Sequence, residues 1–198
     1  YSDFGSNLSG KLATRYRFAK NLALRGSINR GFRAPSLQQL NFAQNTGVLN
    51  GGVITQSRHI RSDDPRLAQI GVEFPKPELS WSYNLGLTAK AGSKFLFTVD
   101  AYQIDVTDKI IVSEQLLVST AIPALQAAFP ASTGIQQVTF FTNHINTRTK
   151  GLDFVTSFKH NFKPKNGFTA SLALTLNETR ITSQKPTPAA LQAGATSP

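Results

Sequence analysis

Apolar and polar residues alternate along six stretches of this 198-residue chain. A period of two is the signature of a β-strand with one apolar face. The clearest stretch runs from about residue 79 to 90, and its apolar positions are Leu79, Trp81, Tyr83, Leu85 and Leu87. The other five lie at about 8–18, 22–29, 94–106, 152–162 and 168–177. The pattern predicts an all-β fold, an antiparallel meander of about six long strands.

The connections between these stretches alternate between very short and very long. Short turns are predicted at residues 19–21, 91–94 and 163–166. Long loops run from about Arg33 to Pro77 and from about Asp108 to Thr142. Soluble domains rarely carry loops of that length without structure of their own. Outer-membrane β-barrels combine short turns on one rim with long extracellular loops on the other.

Strand length and aromatic placement favour a membrane barrel over a soluble sandwich. The stretches are about 10–15 residues long, against a usual ~5–6 in soluble sheets. Phe18, Phe162 and Phe168 flank the short turns, and Trp81 and Tyr83 lie near the far ends, as in an interfacial aromatic girdle. We therefore expect a partial transmembrane β-barrel with an apolar face toward lipid and a polar face toward a wet lumen.

The polar face of the predicted strands is basic. Its cations are Lys11, Arg15, Arg17, Arg25, Lys90 and Lys159. We expect them to pair with acidic groups on parts of the protein outside this chain, or to guide an anionic substrate. The whole chain has a net charge of +10, but it has no helix-turn-helix, zinc-finger or basic-helix pattern, so we expect no nucleic-acid partner.

Composition excludes several other classes of protein. No stretch approaches the roughly 18–20 unbroken apolar residues of a membrane helix. The chain has no cysteine, so it has neither disulfides nor thiolate metal ligands. Within the loops, segments 122–128 and 188–194 both place Ala, Leu and Gln after a proline. This order favours short helices inside the long loops.

Four ordered segments carry a family resemblance: Arg30–Leu40 with its Gly-Phe-Arg-Ala-Pro, Glu78–Leu87, Asp100–Ile110 and Asn146–Phe154. Together they resemble TonB-dependent outer-membrane receptors. Gln39 stands where that family has Glu, and Asn84 stands where Glu is common. The order and spacing of all four segments match the family across most of residues 5–180.

The resemblance implies a barrel of about 22 strands closed around an N-terminal plug. It also implies energised uptake of ferric siderophores, cobalamin, haem or oligosaccharides through the bacterial cell outer membrane. Residues 1–198 are then expected to be a single segment from the C-terminal half of the barrel, without the plug or the remaining strands. The implied partners are outer-membrane lipid and lipopolysaccharide, the plug, TonB, and a siderophore or similar nutrient.

Two other interpretations stay open at this point. One is a soluble antiparallel β-domain that binds a ligand or acts as an adhesin. The other is a simpler outer-membrane channel or adhesin barrel. Detergent dependence distinguishes a receptor from the soluble domain. A plug domain encoded upstream distinguishes a receptor from the simpler barrel.

Candidate chemistry is sparse and points to binding. His59, His144 and His160 lack metal-ligand spacing, and no nucleophile elbow is present, so we expect no metal, no cofactor and no enzyme. The basic segment 58–61 supplies Arg58, His59 and Arg61 as predicted ligand-binding residues in an extracellular loop. Arginines suit the carboxylates of a ferric siderophore or the phosphates of lipopolysaccharide, whereas the alternative is ordinary loop solvation.

Overall fold

The computed structural model describes residues 5–50, 52–163 and 166–194. The ten strands are β1 Gly10–Ala19, β2 Leu22–Arg33, β3 Gln44–Asn50, β4 Val53–His59, β5 Glu78–Ala91, β6 Phe95–Val112, β7 Leu116–Leu117, β8 Gln137–Thr139, β9 Phe141–Lys163 and β10 Asn166–Gln184. The helices are α1 Leu37–Asn41, α2 Pro65–Gln69 and α3 Pro123–Ala128, with 3-10 turns at Ala131–Thr133 and Ala189–Gly194.

The chain divides into two compact units that interleave along the sequence. We call residues 5–32, 79–107 and 146–182, apart from 164 and 165, the strand unit. Residues 33–78, 108–145 and 183–194, apart from 51, form the loop unit.

Six long strands form one sheet in the order β1-β2-β5-β6-β9-β10. This confirms the predicted meander, with turns at residues 20–21 and 92–94. Gly92 has a φ of +61°, which suits a tight turn that other residues would strain. The third predicted turn includes residues 164 and 165, which lie outside the described residues. The later strands exceed the prediction, since β6, β9 and β10 contain 18, 23 and 19 residues.

Side chains in the strand unit separate into an apolar and a polar face, as predicted. Leu85 lies opposite Ala101, and Leu87 opposite Val99, and directly opposed residues share a face. Phe95 extends that face to Phe158 on β9, with ring centroids 4.8 Å apart. The side chains of this apolar face are exposed rather than packed against other elements. Leu85, for example, exposes 58% of its surface.

Two glycines permit close packing on the polar face. Gly86 lies beside the ion pair of Arg25 and Asp100, whose Nε and Oδ1 atoms are 2.9 Å apart. Gly151 lies against the ring of Tyr102, where a Cβ atom would overlap the ring. The Arg25 ion pair corrects the expectation that the cations of the polar face pair with acidic groups outside this chain. Asp100, the partner of Arg25, belongs to this chain, because the β-ladder brings β2 and β6 to either side of Gly86.

The loop unit has more regular structure than the sequence analysis predicted. A second sheet has the order β3-β4-β8-β7. β3 and β4 are antiparallel, whereas β4 and β8 are parallel. The predicted short helices are confirmed as α3 and the 3-10 turn at Ala189–Gly194. Helices α1 and α2 were not predicted.

The loop unit also has a hydrophobic core of its own. Its buried members come from segments far apart in the sequence: Ile60, Leu67, Ile70, Val72, Leu116, Ile122, Leu125, Ala128, Phe129, Ile135, Val138, Phe140 and Leu191. Each fully buried aliphatic or aromatic side chain contributes about 1.5–3 kcal/mol through removal from water.

Among the described residues, no helix is long and apolar enough to cross a membrane.

Candidate functional site

The predicted ligand-binding segment begins at the end of β4. In the parallel pair with β8, Arg58 lies opposite Val138 and His59 lies opposite Thr139. Consecutive residues of a strand project from opposite faces. Arg58 and His59 therefore cannot turn toward the same ligand while this strand is intact, and Arg61 lies beyond the end of the strand.

His59 is part of the packed interior of the loop unit. It is 8% exposed, and its Nδ1 lies 3.0 Å from Oγ1 of Thr139. Its ring lies edge-on to Phe42 and Phe141, at centroid distances of 5.0 and 4.8 Å. Burial lowers the pKa of His59, because the charged imidazolium loses hydration there. The geometry favours a neutral histidine that holds β4 against β8.

Arg61 is engaged by an acidic neighbour in the same loop. Its Nε and Nη2 donate to the two carboxylate oxygens of Asp63 at 3.0 and 2.6 Å. Nη2 also donates to Oδ1 of Asn41 at 3.3 Å. This fork is the arrangement in which a guanidinium binds a ligand carboxylate. An anionic ligand at Arg61 would have to compete with Asp63.

A second fork joins Arg66 to Asp64 at the start of α2. Asp64 caps the helix by accepting from the backbone N–H of Arg66 at 3.0 Å, and it accepts from the Arg66 side chain at 2.9 and 2.6 Å. The pKa of Asp64 is lowered, chiefly by that side-chain hydrogen bond, and Arg58 lowers it further. Arg58 itself has no ion pair within the described residues. It is the uncommitted cation of the predicted segment.

A cavity of about 700 Å³ lies elsewhere in the loop unit. Its wall includes the buried side chains of Val72, Leu116, Phe140 and Leu191, contributed by three separate loop segments. Its rim is charged. Volume and mixed lining are those of a small-molecule pocket, in which apolar walls give contact area and a few polar groups fix orientation.

The charges at the rim of the cavity are largely paired. Nζ of Lys76 lies 2.6 Å from Glu73, and Nζ of Lys185 lies 2.5 Å from Asp108. The hydrogen bond from Lys76 lowers the pKa of Glu73 and raises that of Lys76. Glu114 and His144 also line the cavity. The rim can therefore offer both signs of charge to a ligand.

Buried polar groups hold the backbone around the cavity. The side-chain amide of Asn143 accepts from the backbone N–H of Lys76 at 2.7 Å and donates to the carbonyls of Lys76 and Asp108 at 2.9 and 2.5 Å. Glu78 accepts from the backbone N–H of Ile110 at 2.8 Å and is forked by Arg33. These bonds tie the first loop to the second.

Sequence analysis missed this cavity, although the sequence contains local signals for some elements of the loop unit. Ser36 and Gln39 form a capping box, and Asp64-Pro65 is a helix start. Asn50-Gly51 is a strong hairpin signal between β3 and β4. No local signal joins residues 71–73 to 185–191. The described residues contain no group of three or more His, Cys, Asp or Glu side chains able to hold a metal ion.

A family model described as "TonB dependent receptor-like, beta-barrel" matches residues 1–196. A search of curated proteins finds no significant match. Among solved structures, the siderophore receptor PirA from Pseudomonas aeruginosa is similar, with a TM-score of 0.59 at 16% identity over 91% of this chain. A variant of the ferric enterobactin receptor PfeA from the same organism has a TM-score of 0.56 at 18% identity over 88% of the chain.

The RagAB peptide importer is also similar, with a TM-score of 0.55 at 16% identity over 93% of the chain. The chain spans only 30% of PirA, 22% of PfeA and 19% of the RagAB chain. At these identities the likeness extends to the fold alone. The six-stranded sheet corresponds to part of a barrel wall, and it does not close on itself.

Proposed function

The chain belongs to the TonB-dependent receptor β-barrel family, whose members are transporters rather than enzymes, and from this premise we propose that its parent protein takes up a large nutrient across the bacterial outer membrane. A ferric siderophore is the substrate class we favour. One of the similar structures is a siderophore receptor by name and another is a ferric enterobactin receptor, whereas a third is a peptide importer. Residues 1–198 then contribute barrel wall and extracellular loops, while the plug and TonB act through other parts of the parent.

The observation that carries the proposal is that the loop unit is folded around a hydrophobic core of its own. Loops that serve only as covering need no core, yet these loops share one around Phe129 and enclose a cavity. A folded loop surface can present fixed groups to an arriving ligand, and a preorganised site loses less entropy on binding than a flexible one. We therefore assign initial capture to this unit.

Within the unit, we propose that Arg58 and Arg61 contact the ligand and that His59 supports them. Arg58 is the direct contact, because it is half-buried on β4 and has no ion pair within the described part of the chain. Arg61 contributes if a ligand carboxylate replaces Asp63 in its fork. His59 contributes by holding β4 in place through Thr139. An anionic chelate suits this set better than a cationic peptide.

Replacing Arg58 tests the proposal more sharply than deleting a loop, because the first loop supplies Ile60 and Leu67 to the shared core. We expect Arg58→Gln in the full-length receptor to weaken binding of a carboxylate-bearing ferric chelate about tenfold, as loss of a charge-assisted hydrogen bond does. The measurement is binding of radiolabelled iron chelate to whole cells, normalised to receptor in the outer membrane.

Arg17→Gln is the matched control, since it removes the same charge from β1 beside a short turn. It should leave chelate binding unchanged. Equal binding by both variants and the unaltered receptor would contradict capture by Arg58. Failure of the receptor to bind any ferric chelate, with intact assembly, would contradict the substrate class itself.

A further inference from the structure

The lining of the loop-unit cavity contains one charged side chain that the neighbouring ion pairs leave over. Glu73 and Lys185 line the cavity and pair with Lys76 and Asp108, at 2.6 and 2.5 Å respectively. Each of these pairs is neutral as a unit. Glu114 also lines the cavity, and its carboxylate has no ion pair among the described residues. The charge left over at the cavity is therefore negative.

This negative charge is opposite in sign to the chain as a whole, which has a net charge of +10. The backbone that carries Glu114 is also held in place. The backbone N–H of Ser113 donates to the carbonyl of Phe140 at 2.8 Å, and the hydroxyl of Ser113 donates to the carbonyl of Glu114 at 2.9 Å. Because Phe140 belongs to the cavity wall, these bonds fix the acidic residue beside it.

Two further hydrogen-bond acceptors of the cavity lie on β9. Thr142 and His144 both line it, and they are two residues apart in the strand, so they share a face. Neither side chain has a hydrogen-bond partner within the described part of the chain. A hydroxyl oxygen accepts hydrogen bonds, and so does the unprotonated nitrogen of a neutral imidazole. With Glu114, these residues give the cavity three acceptors that no described donor uses.

The rest of the cavity wall is suited to an apolar group. Val72, Leu116, Phe140 and Leu191 are each no more than 7% exposed, and all four line the cavity. A volume of about 700 Å³ with such a wall accommodates the aliphatic or aromatic body of a small organic molecule. Removal of that body from water favours binding.

We propose that this cavity binds a small organic ammonium ion with an apolar aliphatic or aromatic body. An ammonium group has only donors, and they meet the carboxylate of Glu114 and the acceptors of Thr142 and His144. The body of the ligand lies against the apolar wall. An anion of the same shape would meet the unpaired carboxylate, and both lysines near the cavity are already paired. The site is separate from the capture proposed for Arg58, which does not line the cavity.

The position of the cavity gives such a ligand a second effect. Its lining comes from three parts of the chain, within residues 71–73, 111–144 and 185–191. A ligand that fills the cavity touches all three at once. Because the cavity exists only in the folded unit, binding stabilises that unit by mass action. We therefore expect the ammonium ion to hold the loop unit in its folded arrangement.

The test measures binding to the full-length receptor in detergent micelles by isothermal titration calorimetry, with receptor-free micelles as the blank. The probes are 2-phenylethylamine, an ammonium ion near neutral pH, and its uncharged analogue 2-phenylethanol. We expect the unaltered receptor to bind the ammonium ion about tenfold more tightly, because a charge-assisted hydrogen bond is stronger than a neutral one. Equal affinity for the two probes, or tighter binding of the alcohol, would overturn the proposal without any variant.

Glu114→Gln should weaken binding of 2-phenylethylamine about tenfold. It should leave binding of 2-phenylethanol unchanged, which also shows that the cavity is intact in the variant. The matched control is Glu73→Gln, which removes the same charge from a carboxylate that is 73% exposed and already paired with Lys76. It should change binding less than about twofold, because water screens that charge. Equal losses in the two variants, or undiminished binding by Glu114→Gln, would overturn the proposal.

Discussion

The strand unit and the loop unit invert each other's distribution of apolar residues. Large side chains such as Leu85 and Leu174 lie on the surface of the strand unit, whereas Phe129 and Leu125 in the loop unit are fully buried. The strand unit obeys the rule of a protein that is solvated by lipid, and the loop unit obeys the rule of a protein in water. On the proposed placement in the outer membrane, one chain alternates between two solvents along its length.

The contrast teaches that the two units have different sources of stability. We expect the strand unit to depend on its backbone ladder and on lipid against its apolar face. The loop unit depends on a packed core and on buried polar anchors such as Asn143 and Glu78. A substitution should accordingly damage one unit without the other.

The largest effect is expected from truncating the core of the loop unit. Phe129→Ala should destabilise that unit by about 3–5 kcal/mol, through lost burial and the cavity it leaves. Urea unfolding of the full-length receptor can follow this unit through a fluorophore on Thr120→Cys, an exposed position. Leu117→Ala, which removes an exposed side chain, should change stability by less than about 0.5 kcal/mol. Loss of the barrel's resistance to SDS in the Phe129 variant would contradict independent stability.

The next effect is expected on the apolar face of the strand unit. Leu85→Arg should cost about 2–4 kcal/mol in folding into lipid vesicles, because a cation near the bilayer midplane loses its hydration. Asn84→Arg adds the same charge to the polar face of the same strand and should cost much less. The free energy of folding into vesicles measures both. Similar costs at the two positions would show that the face of Leu85 does not meet lipid.

A smaller effect is expected from pH, and it should appear in the loop unit alone. Burial places the folded pKa of His59 below its unfolded value of about 6.5. Between those values the unfolded state binds more protons, so stability falls as pH falls below about 6.5. The loss is at most about 1.4 kcal/mol for each unit of the pKa difference.

The urea midpoint of the Thr120→Cys fluorophore, compared at about pH 7.5 and about pH 5.5, reports this loss. His59→Asn removes the titrating group and should flatten the dependence. An unchanged pH dependence of the urea midpoint in that variant would show that titratable groups other than His59 cause it. A parallel change in the strand unit would remove the distinction between the two units.

Sequence reasoning succeeded where the structure is local. A strand with one lipid-facing side repeats every two residues, so Leu79 to Leu87 could be identified without any knowledge of their neighbours. Short turns such as Lys20-Asn21 then set the pairing of adjacent strands. The Arg25 ion pair was missed because its partner, Asp100, is 75 residues away.

The loop unit was beyond the same reasoning for a physical reason. Its core joins Ile60, Leu125 and Leu191, which no period connects. The three predicted contact residues were chosen from their charge, and charge does not reveal that Asp63 occupies Arg61 or that Phe42 and Phe141 enclose His59. Their role in binding stays a prediction.

The parallel pairing of β4 with β8 has a consequence for the order of folding. The bonded residues His59 and Thr139 are 80 positions apart, and closing so long a loop carries an entropic cost before any contact compensates for it. The hairpins β1–β2 and β5–β6 close over a few residues and can form first. The pairing of β4 with β8 should therefore be a late event, after the strands between them have met. The common core of the two loops should therefore assemble only after the strands that carry them have paired.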